Sequence, residues 1–475
     1  MPVPELIAAL QRAEAYPHPV GHVRLVETHI SWVLLTGDFA YKLKKPVRFG
    51  FLDFSTLELR KACCEAELRL NRRFAPELYE GVAAIVKRGD AFVVGGDGEP
   101  VEYAVRMRQF PAEAQLDRLL ESGRLTAADM AALGEYLAGV HDELPAAGPH
   151  GEFGTATVTA RQVLDNFREL SVVPLDDATR ERLRVLEAWS AKWSVALGAL
   201  LDRRRQAGKV RECHGDLHLS NLVRLDTGIR AFDCIEFSAA LRWVDVLSDA
   251  AFLVMDCLVR ERPDLGYAFL DRYLEATGDY AGGPLLGYFL VYRSMVRAKV
   301  AALGLQSGSG DRAALEARLQ SHLALAEGLA ERQPVLVVMC GLSASGKSWL
   351  AAQLVEALPG VRLRSDVERK RLAGLAAGAR TGSGVDEGLY APGMGERVYA
   401  HLRDAAHALL EGGENVIVDA TFLEARVRAP FLALARSLGV RCVVVHATPP
   451  AGLPRAPIPR RAAARRDPSA ADPAA

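Results

Sequence analysis

Apolar and polar side chains alternate over much of the first hundred residues, with the period of two that half-buried strands require. Six segments predict strands: residues 23–27, 31–37, 39–47, 82–87, 91–95 and 101–108. Between them, Ser55–Glu58 has the form of a capping box and predicts a helix that runs to about Phe74. This part of the chain is therefore expected to combine strands with a helix.

Helical periodicity dominates residues 115–205 and 238–330, and the pattern changes at Pro334. Beyond it, strands should lie at 335–340, 361–365, 415–419 and 441–446, alternating with helices at 346–357, 394–411 and 424–437. That alternation is typical of a parallel α/β sheet. We therefore predict an α/β multidomain protein with domains at 1–330 and 334–448, and a Pro-, Ala- and Arg-rich tail at 449–475 that we expect to be poorly ordered.

Composition narrows the classes of function. Lys and Arg number 58 against 59 Asp and Glu, so the net charge of −1 gives no general reason to expect a nucleic-acid partner or a membrane surface. The seven cysteines include no C-x-x-C pair, and the N-terminus lacks the pattern of a signal peptide. No apolar run is long enough to span a bilayer. These features predict reduced thiols and a cytoplasmic location, and they leave the oligomeric state open.

A phosphate-binding loop is predicted where the first strand of the second domain ends. Residues 341–348 read Gly-Leu-Ser-Ala-Ser-Gly-Lys-Ser and fit the pattern G-x-x-x-x-G-K-[ST] between a strand and a helix. Backbone N–H groups there would surround the phosphates of ATP or GTP, at the positive end of the helix. Lys347 would reach the terminal phosphates and Ser348 would ligate Mg²⁺. The other residues of the loop expected at the nucleotide are Gly341, Ser343, Ala344, Ser345 and Gly346.

Further acids follow other predicted strands of the same sheet. Asp419 ends a buried strand, where it would contact the metal or its water shell. Asp366 and Arg369 stand three residues apart at a predicted helix start, on the side of the sheet where ligands bind. Asp366 could accept the proton of an acceptor hydroxyl, and Arg369 could hold an anionic group. The alternative is that Asp366 caps the helix and Arg369 is solvated.

A second phosphotransfer motif lies in the first domain. Residues 214–221 read His-Gly-Asp-Leu-His-Leu-Ser-Asn, so Asp216 and Asn221 have the spacing of the kinase loop H-R-D-L-x-x-x-N. In that loop the Asp takes the acceptor proton and the Asn holds Mg²⁺. A turn at 226–228 then predicts a hairpin in which Asn221 faces Asp233, the second metal ligand.

Such a site also needs a strand lysine paired with a helix glutamate. Lys42 is the candidate, and Lys44, on the same face of its strand, is the alternative. Glu65 and Glu67 compete for the helix position. Glu67 borders the apolar stripe of the helix, where a carboxylate needs a partner, so we choose Glu67.

The motifs HGDLHLSN and FDCIEF, together with DVLSDAAF and its Asp249, resemble the aminoglycoside phosphotransferase and choline kinase-like family. The motifs GLSASGKS, RSDVERKRL and VIVDATFLEARVRAPF resemble P-loop kinases of the zeta-toxin type. Their order over about residues 20–446 is similar to bacterial proteins that fuse the two. The resemblance implies a two-lobed protein-kinase-like α+β domain followed by a P-loop parallel α/β domain. It also implies catalytic bases at Asp216 and Asp366, and metal ligands at Asn221 and Asp233.

The leading hypothesis is ATP- and Mg²⁺-dependent phosphoryl transfer to a small-molecule hydroxyl by the first domain. The seven prolines after His446 argue against a helical lid that would aim Arg455 or Arg460, so the second domain should bind nucleotide but turn over poorly. One alternative is a regulatory nucleotide-binding protein with little transfer. Another is a polynucleotide 5′-kinase-like second domain, for which only the Arg-rich tail offers a basic surface.

Overall fold

The fold is taken from a computed structural model, which describes residues 3–49, 52–89, 91–148, 151–308, 310–342, 345–375 and 393–448. The chain forms two compact units, and the predicted boundary at 330–334 stays a prediction. The first unit comprises residues 1–125, 143–153 and 208–249, and the second comprises residues 126–142, 154–207 and 250–475. No described helix combines the length and apolarity that a membrane crossing needs. All seven cysteines are free thiols. The tail at 449–475 lies outside the described residues.

Six strands form an antiparallel sheet in the first unit: β1 (Arg24–Glu27), β2 (Ser31–Leu35), β3 (Phe39–Lys44), β6 (Tyr79–Arg88), β7 (Ala91–Val94) and β8 (Pro100–Arg108). Their order in the sheet is β1-β2-β3-β8-β6-β7. A short pair, β4 (Arg48–Phe49) and β5 (Leu52–Asp53), stands beside it as a separate ladder. All six predicted strands are thus present.

The alternation along β3 decides what each face of the sheet carries. Tyr41 and Leu43 join a buried apolar core with Leu34 of β2 and Leu10 of helix α1 (Val3–Leu10). Because successive side chains of a strand point to opposite faces, Lys42 and Lys44 project from the other face. The strand therefore separates a hydrophobic core from a row of two lysines.

The helix predicted after the capping box is α2 (Leu57–Asn71). Its N-cap is Thr56, whose Oγ1 accepts the Leu59 N–H at 3.3 Å. The prediction that Ser55 caps the helix is wrong by one residue, because the N–H and hydroxyl of Ser55 instead donate to Asp53. The helix ends three residues earlier than the predicted end at Phe74.

Short elements complete the first unit: α3 (Leu116–Glu121), β9 (Val210–Glu212), β10 (Leu222–Leu225), β11 (Gly228–Ala231), α8 (Ala239–Arg242) and β12 (Trp243–Asp245). β10 and β11 form the predicted hairpin, but its register differs from the predicted one. Leu225 pairs with Gly228, so the turn has two residues instead of the three assumed. Asn221 therefore lies opposite Phe232, whose N–H donates to its carbonyl at 3.0 Å, and the prediction that it faces Asp233 across the strands is wrong.

Helices make up most of the second unit: α4 (Ala127–Glu143), α5 (Ala156–Ser171), α6 (Asp177–Ala196), α7 (Gly198–Gln206), α9 (Val246–Val259), α10 (Pro263–Thr277), α11 (Leu286–Ser307) and α12 (Arg312–Ala330). Polar side chains fix several of their starts, since Thr155, Asp176 and Asp311 each accept a backbone N–H of the following first turn. α11 is joined to α12 through Ser294, whose hydroxyl donates to the carbonyl of His322 at 2.8 Å.

A parallel sheet follows in the same unit, with β13 (Val335–Cys340), β14 (Val361–Arg364), β15 (Val416–Asp419) and β16 (Arg441–His446) in the order β14-β15-β13-β16. Its helices are α13 (Lys347–Ala357), α14 (Ser365–Leu372), α15 (Met394–Glu411) and α16 (Ala425–Leu438). Each predicted element of this part is present, and its ends agree to within one residue. The predicted parallel α/β sheet is confirmed.

Two backbone segments of the second unit meet without side chains between them at the end of α15. The 3-10 turn Tyr280–Leu285 packs on the end of α15, where Gly283 faces Gly412. A Cβ atom added to Gly412 would lie 2.0 Å from the carbonyl oxygen of Gly283. A Cβ atom added to Gly283 would lie 2.7 Å from the backbone of Ala408, so both positions favour glycine.

We predict that Gly412→Ala destabilises the protein by about 1–3 kcal/mol, because the added methyl group overpacks this backbone contact. Gly328→Ala is the matched control: Gly328 lies in α12 with nothing within 4 Å of the added Cβ, so this change should stabilise the helix by up to about 1 kcal/mol. Thermal unfolding of both variants measures the difference. Equal melting temperatures for the two variants would show that the contact is looser than described.

Candidate functional site

Glu67 of α2 is fully buried and forms ion pairs with both lysines of β3. Its Oε1 accepts a hydrogen bond from Lys42 Nζ at 2.9 Å, and its Oε2 accepts one from Lys44 Nζ. Glu65 instead points to the exposed side of α2, where it pairs with Lys61 at 3.8 Å. The two lysines that the sequence offered as alternatives therefore share one carboxylate.

Each lysine has a second carboxylate partner on the segment after β11. Lys42 Nζ contacts Asp233, and Lys44 Nζ contacts Glu236. Burial alone would lower the pKa of Lys42, but the carboxylates of Asp233 and Glu67 hold it well above the ordinary value. Burial also opposes the ionisation of Asp233, yet Lys42 keeps the pKa of that carboxyl below its usual range. Both groups are therefore charged at neutral pH.

Glu236 was missed by the sequence reasoning. Burial raises the pKa of this carboxyl, and Lys44 acts in the opposite direction. A signal for it existed: two lysines on one face of a strand need more than one carboxylate, and Glu236 is the acid next after Asp233.

Asp233 has an unusual backbone. Its φ is +62°, the left-handed region that residues with a side chain avoid, at a strain of about 1 kcal/mol. Two side chains hold the chain in this turn: the Tyr79 hydroxyl accepts the Asp233 N–H at 3.0 Å, and Asn71 Oδ1 accepts the Cys234 N–H at 3.0 Å. The turn, rather than the hairpin register, directs the carboxylate toward Lys42.

The buried carboxylate of Asp249 holds the loop that carries Asp216 through two backbone hydrogen bonds. The two carboxylate oxygens of Asp249 accept the N–H groups of His214 at 3.0 Å and Gly215 at 2.8 Å. Burial lowers the pKa of His214, so its ring is neutral, and Nε2 lies 2.9 Å from the carbonyl of Phe232 as a donor. Asp249 and His214 thus shape the loop that presents Asp216.

Asp216 and Asn221 are in direct contact. The Asn221 amide donates to the carbonyl oxygen of Asp216 at 3.0 Å and to its carboxylate at 3.3 Å. His218 Nε2 lies 3.2 Å from the same carboxylate oxygen. A third of the Asp216 side-chain surface remains exposed, so a molecule from solvent can reach it.

Glu212 ties α2 to the strand that leads into this loop. Its carboxylate contacts Arg69 of α2, Arg73 just beyond the end of α2, and Arg242. Burial opposes its charge, but the three guanidinium groups lower the pKa of Glu212 to about 2. The helix that carries Glu67 is therefore fixed to the loop segment by charge.

The predicted phosphate loop of the second unit begins and ends as expected. Gly341 has φ +150°, and a Cβ there would lie 2.7 Å from the carbonyl of Ala447. Gly346 has φ +87° and precedes α13, which begins at Lys347. Lys347 Nζ donates to the carbonyl of Leu342 at 3.3 Å, within the loop itself. Ser343 and Ala344 lie outside the described residues.

Two buried polar atoms of this site, Asp419 Oδ1 and Ser345 Oγ, have no hydrogen-bond partner among the described residues. Such atoms are rare in proteins unless a water molecule, an ion or a ligand completes them. A carboxylate oxygen at the end of β15, beside a phosphate loop, fits a magnesium ion. Ser348 lies half-buried in the first turn of α13.

Asp366 and Arg369 lie on α14, which follows β14, the neighbour of β15 in the sheet. The N-cap of α14 is Arg364, so the alternative in which Asp366 caps this helix is wrong. Burial and the neighbouring charge of Asp419 raise the pKa of Asp366. Arg369 is half-buried one turn further along. Asp366 and Asp419 are close enough to interact electrostatically, as two acids of one site would be.

Helix α10 contacts β14 of the parallel sheet through two carboxylates. Asp271 accepts the backbone N–H of Arg362 at the edge of β14, and Glu275 lies 3.4 Å from the guanidinium of Arg364. Tyr280 donates to the buried carboxylate of Glu368 at 3.1 Å. No local pattern predicts these contacts, since they join segments about ninety residues apart.

Two family models match the chain. The model of the Phosphotransferase enzyme family matches residues 64–286, and the model of the AAA domain matches residues 336–475. The uncharacterized protein Rv2004c of Mycobacterium tuberculosis is 31% identical over 416 residues, which are 87% of this chain and 81% of the relative. The uncharacterized protein Mb2027c of Mycobacterium bovis matches with the same values.

Solved structures of kinases are also similar. Choline kinase from Cryptosporidium parvum is 12% identical, covers 68% of this chain and 95% of its own, and has a TM-score of 0.44. A choline/ethanolamine kinase family protein from Mesorhizobium loti is 14% identical, covers 66% and 88%, and has a TM-score of 0.43. A glucosamine kinase with glucosamine, ADP and inorganic phosphate is 17% identical, covers 68% and 81%, and has a TM-score of 0.41.

The segment that matches the first model contains the loop with Asp216 and Asn221, and the segment that matches the second contains the phosphate loop. The chain is therefore a phosphotransferase of the kinase class. It belongs to the family of the mycobacterial relatives. The predicted fold class, a protein-kinase-like domain followed by a P-loop parallel α/β domain, is confirmed.

The pKa of Glu212 predicts a specific pH dependence of stability. Because the folded pKa of about 2 lies below the ordinary 4.5, the charge contributes fully above pH 4.5 and is lost as the pH falls toward 2. Glu212→Gln should therefore reduce the free energy of unfolding by about 3 kcal/mol at pH 7 and by much less near pH 2. Urea unfolding across this range measures the gap. Exposed Glu65→Gln is the control, and a gap that ignores pH would contradict the assignment.

Proposed function

We propose that the first unit transfers the γ-phosphoryl group of ATP, with Mg²⁺, to a hydroxyl group of a small molecule. The observation that carries the proposal is one charged cluster that joins Lys42 to both Glu67 and Asp233. In the same unit, Asn221 is bound to Asp216. Phosphoryl transfer by kinases uses these residue types for phosphate binding, metal binding and proton acceptance.

The charge states support these roles. Lys42 stays protonated, so it can hold phosphate oxygens, and Asp233 stays ionised, so it can ligate a cation. Asp233 is also the open end of the cluster, with 42% of its side-chain surface exposed against 10% for Lys42. In our proposal, Lys42 exchanges Asp233 for the nucleotide phosphates and keeps Glu67.

Asp216 is the proposed base. Asn221 and His218 fix one of its carboxylate oxygens, and the exposed part of the side chain would receive the proton of the acceptor hydroxyl. Mg²⁺ held by Asn221 and Asp233 would neutralise the charge that develops on the phosphates. The acceptor is a small hydroxyl compound by family resemblance.

The second unit is proposed to bind ATP or GTP at residues 341–348, with Ser348 and Asp419 toward the metal. Asp366 as base and Arg369 as anion contact remain proposals, as do the roles of Ser343 and Ala344. We expect poor turnover there. The lid candidates Arg455 and Arg460, on which that expectation depends, lie outside the described residues. Free thiols fit the cytoplasm, where we propose that the protein works.

A second candidate function is regulation by the nucleotide bound in the second unit. One observation favours it. Arg364 of β14 pairs in register with Asp419 of β15, and its guanidinium group forms an ion pair with Glu275 of α10. A nucleotide or metal that displaces Arg364 would change the partners of Glu275 and so act on α10. In that case the second site works as a switch without transfer of its own.

We predict that Asp216→Asn reduces ATP-dependent phosphorylation of hydroxyl compounds by about 10²–10⁴-fold, because the transfer loses its base. Lys347→Ala should leave most of it, since the transfer resides in the first unit. ADP released in single turnovers, with and without a panel of amino alcohols and sugars, is the measurement. Asp226→Asn, in the exposed hairpin turn, is the matched control. The reverse result would place the chemistry in the second unit, and a changed KM in Lys347→Ala would favour regulation.

Calorimetric titration with Mg·ATP should show two binding sites in the parent protein. Lys347→Ala should remove one, because it takes the cation from the phosphate loop, and Asp233→Ala should remove the other. An unchanged stoichiometry in Lys347→Ala would mean that the second unit does not bind this nucleotide.

A further inference from the structure

Lys44 cannot reach a nucleotide. Its side chain is completely buried, and its ammonium group is in contact with the carboxylates of Glu67 and Glu236 and lies 5.6 Å from the ring centre of Phe54. Lys42, two residues earlier on β3, borders the exposed Asp233. The two lysines therefore differ in what they can touch, although they share Glu67.

The four contacts form a chain of alternating charge: Asp233, Lys42, Glu67, Lys44 and Glu236. Both of its ends belong to the same short segment, since Glu236 follows Asp233 by three residues. The chain of charges thus closes on itself through the backbone. One end is open to solvent and the other is only 3% exposed.

The buried end is anchored independently of the open end. Arg242 donates to the carbonyl of Glu236 at 3.1 Å and also binds Glu212 at 3.0 Å. When Lys42 leaves Asp233 for a phosphate, Glu67 still has Lys44 on its second oxygen. The carboxylate that orients Lys42 would then keep its place during turnover.

We propose that Lys44 and Glu236 are positioning residues for phosphoryl transfer: they hold Glu67 where it directs Lys42 to the nucleotide phosphates. Neither residue touches substrate. This inference rests on the proposed function of the first unit. It assigns the second strand lysine a role distinct from that of the first, which the sequence alone left undecided.

The test compares Lys44→Met, Glu236→Gln and the double variant Lys44→Met/Glu236→Met. Single changes leave a buried charge without its partner and so also destabilise the fold. The double variant removes both charges, and apolar replacement of a buried pair is often neutral for stability. Lys61→Met/Glu65→Met, an exposed pair on α2, the helix that carries Glu67, is the matched control.

We expect kcat/KM for ATP to fall by about 10–100-fold in the double variant, with a parent-like melting temperature, because a displaced Lys42 no longer meets the phosphates. The KM for ATP should rise and the KM for the acceptor should stay unchanged. A merely structural role would lower kcat through loss of folded protein and leave the KM for ATP alone. Glu236→Gln, which keeps the shape of the side chain, should show the same rise in KM even if the double variant fails to fold.

Parent-like kcat/KM in any folded variant of the pair would overturn this proposal and leave the proposed function intact. A parent protein whose first unit neither binds Mg·ATP nor phosphorylates hydroxyl compounds would overturn both. The two failures are distinguishable because the second appears in the parent before any substitution is made.

Discussion

A carboxylate removed from water must be compensated by cations in contact with it, and Glu67 is where the first unit meets that requirement. Both of its oxygens are bound by ammonium groups of β3. The next turn of the helix extends the same constraint, because Asn71 donates to the Glu67 carbonyl and accepts the N–H of Cys234. Strand, helix and the segment with Asp233 are therefore placed by one buried charge, and the site exists only in the geometry that satisfies it.

The second unit treats its charges differently. The first unit satisfies the cluster around Glu67 with its own side chains, whereas Asp419 Oδ1 and Ser345 Oγ lack partners among the described residues. An internally paired site is fully formed before any ligand arrives. A site with orphaned polar atoms gains most from the ion or phosphate that completes it. Under the proposed function, nucleotide binding should therefore stabilise the second unit more than the first.

Local patterns predicted the elements well, and contacts between distant segments poorly. The glycines of the phosphate loop follow from a sequence motif, the strand ends of the parallel sheet from periodicity, and the preference for Glu67 over Glu65 from burial. The hairpin register failed by one residue because turn length is set by backbone geometry that Asp226-Thr227-Gly228 leaves open. Glu236 and the grip of Glu275 on Arg364 were missed because each depends on which segments meet in space. The direction of Asp233 depends on a left-handed φ that no residue pattern announces.

The close contact between Gly283 and Gly412 shows that the chain before Pro334 is packed against the phosphate-loop half. A fragment cut at Pro334 would uncover the buried carboxylates of Glu368 and Glu414, which lose the hydroxyl groups of Tyr280 and Tyr267. The phosphate-loop half therefore cannot be exchanged at Pro334 without the loss of these hydrogen bonds. An exchange of the phosphate-loop half between relatives should therefore keep residues 263–285 together with the sheet that they cover.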